Sequence, residues 1–195
     1  MILTPSNGGV FIMNSRNQTR LIAYMALYAA LYVVLKFVGN YIPFLQMPQG
    51  GSIEIELIAI FVASWHLGWK YGIGVAMLSW LVTFVMGSGR WYLNPMQYSL
   101  DYFLPLIAVG VASLLGTKSD KKYYIGVIAS MVLKFMSNVL SGVYYWPPEE
   151  AVAGSSAAWA YSLSYNLWYN LVTCIVCVIV VPLLIKRLQN ANVLK

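Results

Sequence analysis

Asn94-Pro95-Met96-Gln97-Tyr98-Ser99-Leu100-Asp101-Tyr102-Phe103-Leu104-Pro105 sets a carboxylate inside a long apolar run, with no basic residue from Trp91 to Thr117. An ionisable group at membrane depth is costly and as a rule faces a cavity or a partner. Asp101 is therefore the first candidate binding residue. The alternative is a structural carboxylate paired with a lysine on a neighbouring helix.

That reading requires a membrane, and the composition supplies one. The chain has 195 residues, enough for one domain, and is 60% hydrophobic and 9% charged. Soluble domains carry about 25% charged residues. The expected class is an all-α integral membrane protein. Net charge is +6, but the basic residues fall in the short links between apolar runs. That placement reflects membrane orientation rather than nucleic-acid binding.

Apolar runs separated by Gly, Pro and charge predict six transmembrane helices over 21–38, 53–67, 72–86, 96–115, 124–145 and 159–185. Residues 1–20 read as a cytoplasmic segment, 21–187 as the transmembrane substrate-binding domain and 188–195 as a cytoplasmic tail. The first run has no small-residue cleavage site and reads as a retained helix rather than a signal peptide. Six spans put both termini on one side, with Arg16, Arg20, Lys70, Lys118, Lys121, Lys122, Lys186, Arg187 and Lys195. The positive-inside rule makes that side cytoplasmic, in a cell membrane. Arg90, Glu149 and Glu150 fall outside. Lys36, near the end of its span, is expected to snorkel to the interface. Pro105 is expected to kink the fourth span.

Polar residues converge near the outer face. Asp101, Asn138, Trp146, Tyr161 and Asn166 all lie in outer half-spans or outer loops. One carboxylate among electron-rich rings suits a cationic aromatic ligand. Trp91, Trp168 and Tyr169 read as an interfacial belt. Glu54 and Glu56 are two apart, so one is expected inward and the other at the interface. Lys134 lies one turn from Asn138 on the same face, and its expected partner is Asp101. Met47 to Ser52 reads as a compact loop able to fold over a pocket. Ala26 and Ala30, four apart, would let another helix approach closely. No catalytic set appears. Cys174 and Cys177 lie in an apolar run without a thioredoxin-like surround, His66 falls in a link with a surface role, and no metal or cofactor motif is present.

The stretches Met47-Pro48-Gln49-Gly50-Gly51-Ser52-Ile53, Leu100-Asp101-Tyr102 with Ile107-Ala108-Val109-Gly110, Ser141-Gly142-Val143-Tyr144-Tyr145-Trp146, and Tyr161-Ser162-Leu163-Ser164-Tyr165-Asn166 together resemble one family. It is the thiamine-specific S component, the substrate-binding membrane subunit, of energy-coupling-factor (ECF) vitamin transporters. The resemblance covers about 21–185. It implies six transmembrane helices and thiamine held near the outer face, under the loop between helices one and two. It implies substrate-binding roles for Asp101, Tyr102, Trp146, Tyr161, Asn166 and Glu54, with Gln49, Asn138 and Lys134 beside them. It also implies a docking motif like Ala23, Ala26 and Ala30 on helix one. The partners would be a transmembrane coupling subunit and two ATPases. This chain has Asn138 where the family commonly has a histidine, and Gly50 where some members carry a tryptophan. A thiamine precursor, an analogue or another small cationic aromatic therefore stands as an alternative ligand. A stand-alone transporter would need a continuous polar path. A small membrane enzyme would need a nucleophile or metal cluster.

Overall fold

The computed structural model describes residues 15–48, 50–87, 91–115 and 121–191. Among them all regular structure is helical: α1 (Ser15–Asn40), α2 (Leu57–Leu67), α3 (Trp69–Val85), α4 (Pro95–Tyr98), α5 (Leu104–Gly110), α6 (Lys122–Tyr145) and α7 (Ser156–Asn190). Three of these, within 17–40, 122–145 and 156–190, are long and apolar enough to cross a membrane. Gln49, Arg90, Lys118 and Lys195, named above, lie outside the described residues.

α2 is the axis of the bundle. Leu57 and the whole run from Ala59 to Ser64 are buried. A helix apolar on every side needs neighbours all round, and α1, α3, α5 and α7 supply them. Phe61, Ile60, Val75, Val109, Val127, Val181 and Ile185 fill the space between. Gly68 joins α2 to α3 with no further residue. Its φ of +95° is a conformation that side chains avoid.

α2 has 11 residues, about 16 Å of helix at 1.5 Å per residue, roughly half the hydrocarbon thickness of a bilayer. The chain ahead of it, Ile53 to Glu56, is not helical. Both glutamates therefore lie beside the bundle interior instead of being carried outward on a helix end. Glu56 is buried and pairs with Lys36 at 3.0 Å. Glu54 pairs with Lys134 at 2.5 Å. The expectation of one inward and one interfacial acid is corrected, since each acid has its own lysine. So is the snorkelling Lys36, which turns inward because Glu56 offers it a charge.

The expected fourth span is a broken element. Asn94 caps α4 by accepting from the Gln97 amide at 2.9 Å, and Pro95 occupies the first turn. One π-helical turn, Ser99–Phe103, separates α4 from α5, and a 3₁₀ turn, Ala112–Leu115, follows α5. The proline explains the π turn. In it the Leu104 N–H reaches back to Ser99 O, so the Leu100 carbonyl would wait for a donor at position 105. Pro105 has none. The Ser137 hydroxyl on α6 fills the gap, donating to Leu100 O at 2.7 Å.

His66 is not at the surface. Its Nδ1 shares a hydrogen bond of 2.8 Å with the Tyr28 hydroxyl, and the rings of Tyr24 and Tyr28 meet it edge-on. The last turn of α2 is covered by α1, and an imidazole there is partnered by phenols.

Candidate binding site

Asp101 stands on the π turn with its side chain toward Trp146 at the end of α6. Gln97 Nε2 donates to its Oδ2 at 2.6 Å, and the Trp146 indole N–H donates to the same oxygen at 3.1 Å. Gln97 is fully buried and uses every polar atom. Its Oε1 accepts from Leu93 N, and its Nε2 also reaches Trp91 O. Among the described residues no cation pairs with Asp101, and its Oδ1 accepts nothing. Trp146, 37% exposed, is the last residue before the loop and meets Trp91 edge-to-face at 6.3 Å. Tyr102 packs on Tyr98 with ring centroids 4.7 Å apart.

A second cluster surrounds Lys134, which is 2% exposed. An ammonium has three donors; Lys134 donates to Asn170 Oδ1 at 2.9 Å and to Asn138 Oδ1 at 3.1 Å, and Glu54 Oε2 lies 2.5 Å from the nitrogen as its ion-pair partner. The Tyr169 ring lies 5.6 Å from the nitrogen. The expected pair between Lys134 and Asp101 is therefore absent. Lys134 sits 12 residues below Trp146, about 18 Å along the helix, while Asp101 meets the top of α6 at Trp146.

α7 carries the amide row. Asn166, Tyr169, Asn170 and Thr173 fall at i, i+3, i+4 and i+7 and share one buried face. Asn166 donates to Ser162 O at 2.9 Å and accepts from the Tyr169 hydroxyl at 2.5 Å. Thr173 Oγ1 accepts the Glu54 amide at 3.1 Å. Tyr161 stacks on Tyr165 at 5.9 Å. Tyr169 is buried and is not part of an interfacial belt; Trp91 and Trp168 are exposed, as a belt requires.

The loop after α1 folds against this face. Gln46 and Ser52 form a bridge, Met47 N donates to Gly51 O at 3.0 Å, and the Tyr165 hydroxyl donates to Gly50 O at 2.8 Å. Gly51, at φ +86°, is so close to Tyr169 that a Cβ would come within 3.0 Å of the ring. The loop is compact, as its glycines and prolines suggest, and lies on α7 above Glu54.

The structure thus joins Asp101 with Trp146, and Glu54 with Lys134 and Asn138. Tyr161 and Asn166 share α7 but lie five residues apart, about 140° round the helix, Tyr161 beside Tyr165 and Asn166 beside Ser162. Residue reading missed Gln97, Tyr169, Asn170 and Thr173. The i, i+4 spacing of Gln97 and Asp101 and the four-residue row on α7 are the signals that point to them. Ala23, Ala26 and Ala30 lie on an exposed face of α1 with Ile22, Leu27, Leu31 and Val34. A depression of about 720 Å³ lined by Asn17, Thr19, Arg20 and Ala23 is at the far end of α1 from Lys36 and includes none of the polar cluster.

A helical bundle with membrane-spanning helices and two polar clusters, at Asp101 and at Lys134, is the architecture of a membrane protein. Residues 22–193 match the model of the thiamine transporter protein (Thia_YuaJ) family, and the chain belongs to that family. It is a transporter family, not an enzyme family. The chain is 30% identical to the thiamine transporter ThiT of Bacillus subtilis over 184 residues, 88% of this chain and 93% of that one. Its fold matches that of ThiT from Listeria monocytogenes with a TM-score of 0.63 and 21% identity, covering 90% of this chain and 96% of the other. It also matches a structure described as the S component of a bacterial ECF transporter, with a TM-score of 0.62, 21% identity and coverage of 90% and 98%.

Proposed function

We propose that the chain is the thiamine-binding S component of an ECF-type importer in a bacterial plasma membrane. It takes thiamine at the outer face and delivers it together with a transmembrane coupling subunit and two ATPases. The observation that carries this reading is Asp101. In a member of a thiamine transporter family, it is a carboxylate that, among the described residues, has one unbonded oxygen and no cation partner, with an indole and a phenol beside it. A thiazolium supplies the missing positive charge, and Trp146 and Tyr102 supply faces for it.

In this reading Tyr161, Asn166 and Asn138 line the rest of the ligand, and Glu54 and Lys134 support the site from below; Gln49, outside the described residues, is proposed as a further ligand contact. Six crossings follow if α1, α2, α3, the broken α4–α5 element, α6 and α7 each count once. Arg20, Lys70, Lys186 and Arg187 then fall on the cytoplasmic side with both termini. The exposed Ala23, Ala26 and Ala30 on α1 are the proposed docking face for the coupling subunit, because small side chains permit close helix approach.

The test is direct. Protein extracted in detergent without added vitamin is analysed by mass for co-purified ligand, then titrated with thiamine. Saturable binding of thiamine supports the reading. A different small cation bound, with no response to thiamine, overturns it.

A further inference from the structure

We infer that Lys134 is a positioning residue that fixes the hydrogen-bond polarity of Asn138, so that the site takes a ligand with a proton-free acceptor, a heteroaromatic ring nitrogen, at that point. The inference rests on the thiamine reading and refines it.

An ammonium donates hydrogen bonds and accepts none, so each partner must present an acceptor. The partners of Lys134 are Glu54 and the side-chain oxygens of Asn170 and Asn138. An asparagine amide has two ends of nearly equal size, and only its hydrogen bonds decide which end faces where. Here turning Asn138 over would place an NH₂ against an NH₃⁺. Its oxygen is held on Lys134 and its Nδ2 on the opposite side.

The other amides of the row have no such freedom. Asn170 gives its oxygen to Lys134 and its Nδ2 to Asn166 O at 3.0 Å. Asn166 uses both ends, on Ser162 and Tyr169. Asn138 is only 9% exposed, and its Nδ2 meets no acceptor among the described residues, nor is that atom sealed from all space. A buried donor without a protein acceptor marks where a ligand acceptor belongs. A ligand atom carrying its own proton would meet a second donor there and leave both unsatisfied. In an aminopyrimidine the ring nitrogens N1′ and N3′ offer lone pairs in the ring plane, while the exocyclic amine offers protons. Asn138 therefore selects a ring nitrogen.

Calorimetric titration in detergent tests this with thiamine and two analogues, in which N1′ or N3′ of the pyrimidine is replaced by C–H. The parent should bind one analogue roughly ten- to a hundredfold more weakly than thiamine. Asn138→Asp keeps an acceptor on Lys134 but has no donor. It should weaken thiamine by a similar factor and leave that analogue unchanged. Glu54→Gln with Lys134→Gln removes both charges together and lets the amide turn, so discrimination should shrink to within about threefold. Equal losses for thiamine and both analogues in Asn138→Asp, or full discrimination in the double variant, overturns the inference. So does a parent that binds all three alike, whatever the variants do. A parent that does not bind thiamine strikes the underlying reading instead, and the inference with it.

Discussion

At the residue scale, Asp101 carries two hydrogen bonds on one oxygen and, among the described residues, none on the other. Asp101→Asn keeps an oxygen for Gln97 and Trp146 but removes the charge. Thiamine affinity should fall by about 2–5 kcal/mol, the usual loss on removing one partner of a buried charge pair. The empty variant should unfold at nearly the parent temperature. Titration in detergent checks the first, thermal unfolding the second. Trp146 touches the same carboxylate through its indole N–H and packs edge-to-face with Trp91. Thiamine should quench intrinsic fluorescence, and Trp146→Ala should remove most of the quench and weaken binding by about 1–3 kcal/mol. An undiminished quench in the variant would assign the signal to another tryptophan, with Trp91 next to it the first to examine.

At the element scale, the broken α4–α5 segment holds Asp101 where a straight helix would not. Its weak point is the Leu100 carbonyl, denied a donor by Pro105 and served by Ser137. Ser137→Ala should cost about 1–3 kcal/mol as the carbonyl is left unpaired. In a Pro105→Ala background the loss should be smaller, because position 105 then has an N–H to offer. Thermal unfolding of the four proteins gives the coupling. Helix α1 makes a different kind of prediction. Its buried side holds Tyr28, Ala29 and Tyr32, and its exposed side holds Ala26 and Ala30. Replacing both exposed alanines by Trp should abolish assembly with the coupling subunit and uptake, while thiamine affinity in detergent stays within about 0.5 kcal/mol of the parent, as for other surface changes. Normal uptake by the variant would move the docking face elsewhere.

At the scale of the whole molecule, the two buried ion pairs tie distant parts of the chain together. Lys36 joins α1 to Glu56. Lys134 joins α6 to Glu54 and, through Asn170, to α7. Lys134→Met leaves an unpaired acid and two amide oxygens without donors, and the empty protein should lose about 3–5 kcal/mol. Adding Glu54→Gln removes the unpaired charge and should restore part of that loss. Unfolding curves for single and double variants check the order. A single variant as stable as the parent would mean that Glu54 is neutralised some other way.

Residue types and spacings alone determine the membrane class, the helical runs and which residues are candidates for the site. The reasons are local: charge is scarce, Gly and Pro interrupt the apolar runs, and an isolated acid among them needs a partner. They also bring Asp101, Trp146, Asn138 and Asn166 to notice, because a polar group in an apolar run is conspicuous wherever it lies. Pairing was decided only in three dimensions. Lys134 and Asp101 look like neighbours when helices are ranked by depth, but a side chain reaches only a few ångströms, and the contact depends on the register between helices. The short α2 and the non-helical stretch before it bring Glu54 to Lys134. The proline-induced π turn leaves Asp101 at the level of Trp146. Tyr169 and Asn170 were hidden for the same reason. On α7 they are two polar residues among many, and only the packing of α6 and the first loop against that face makes them part of the site.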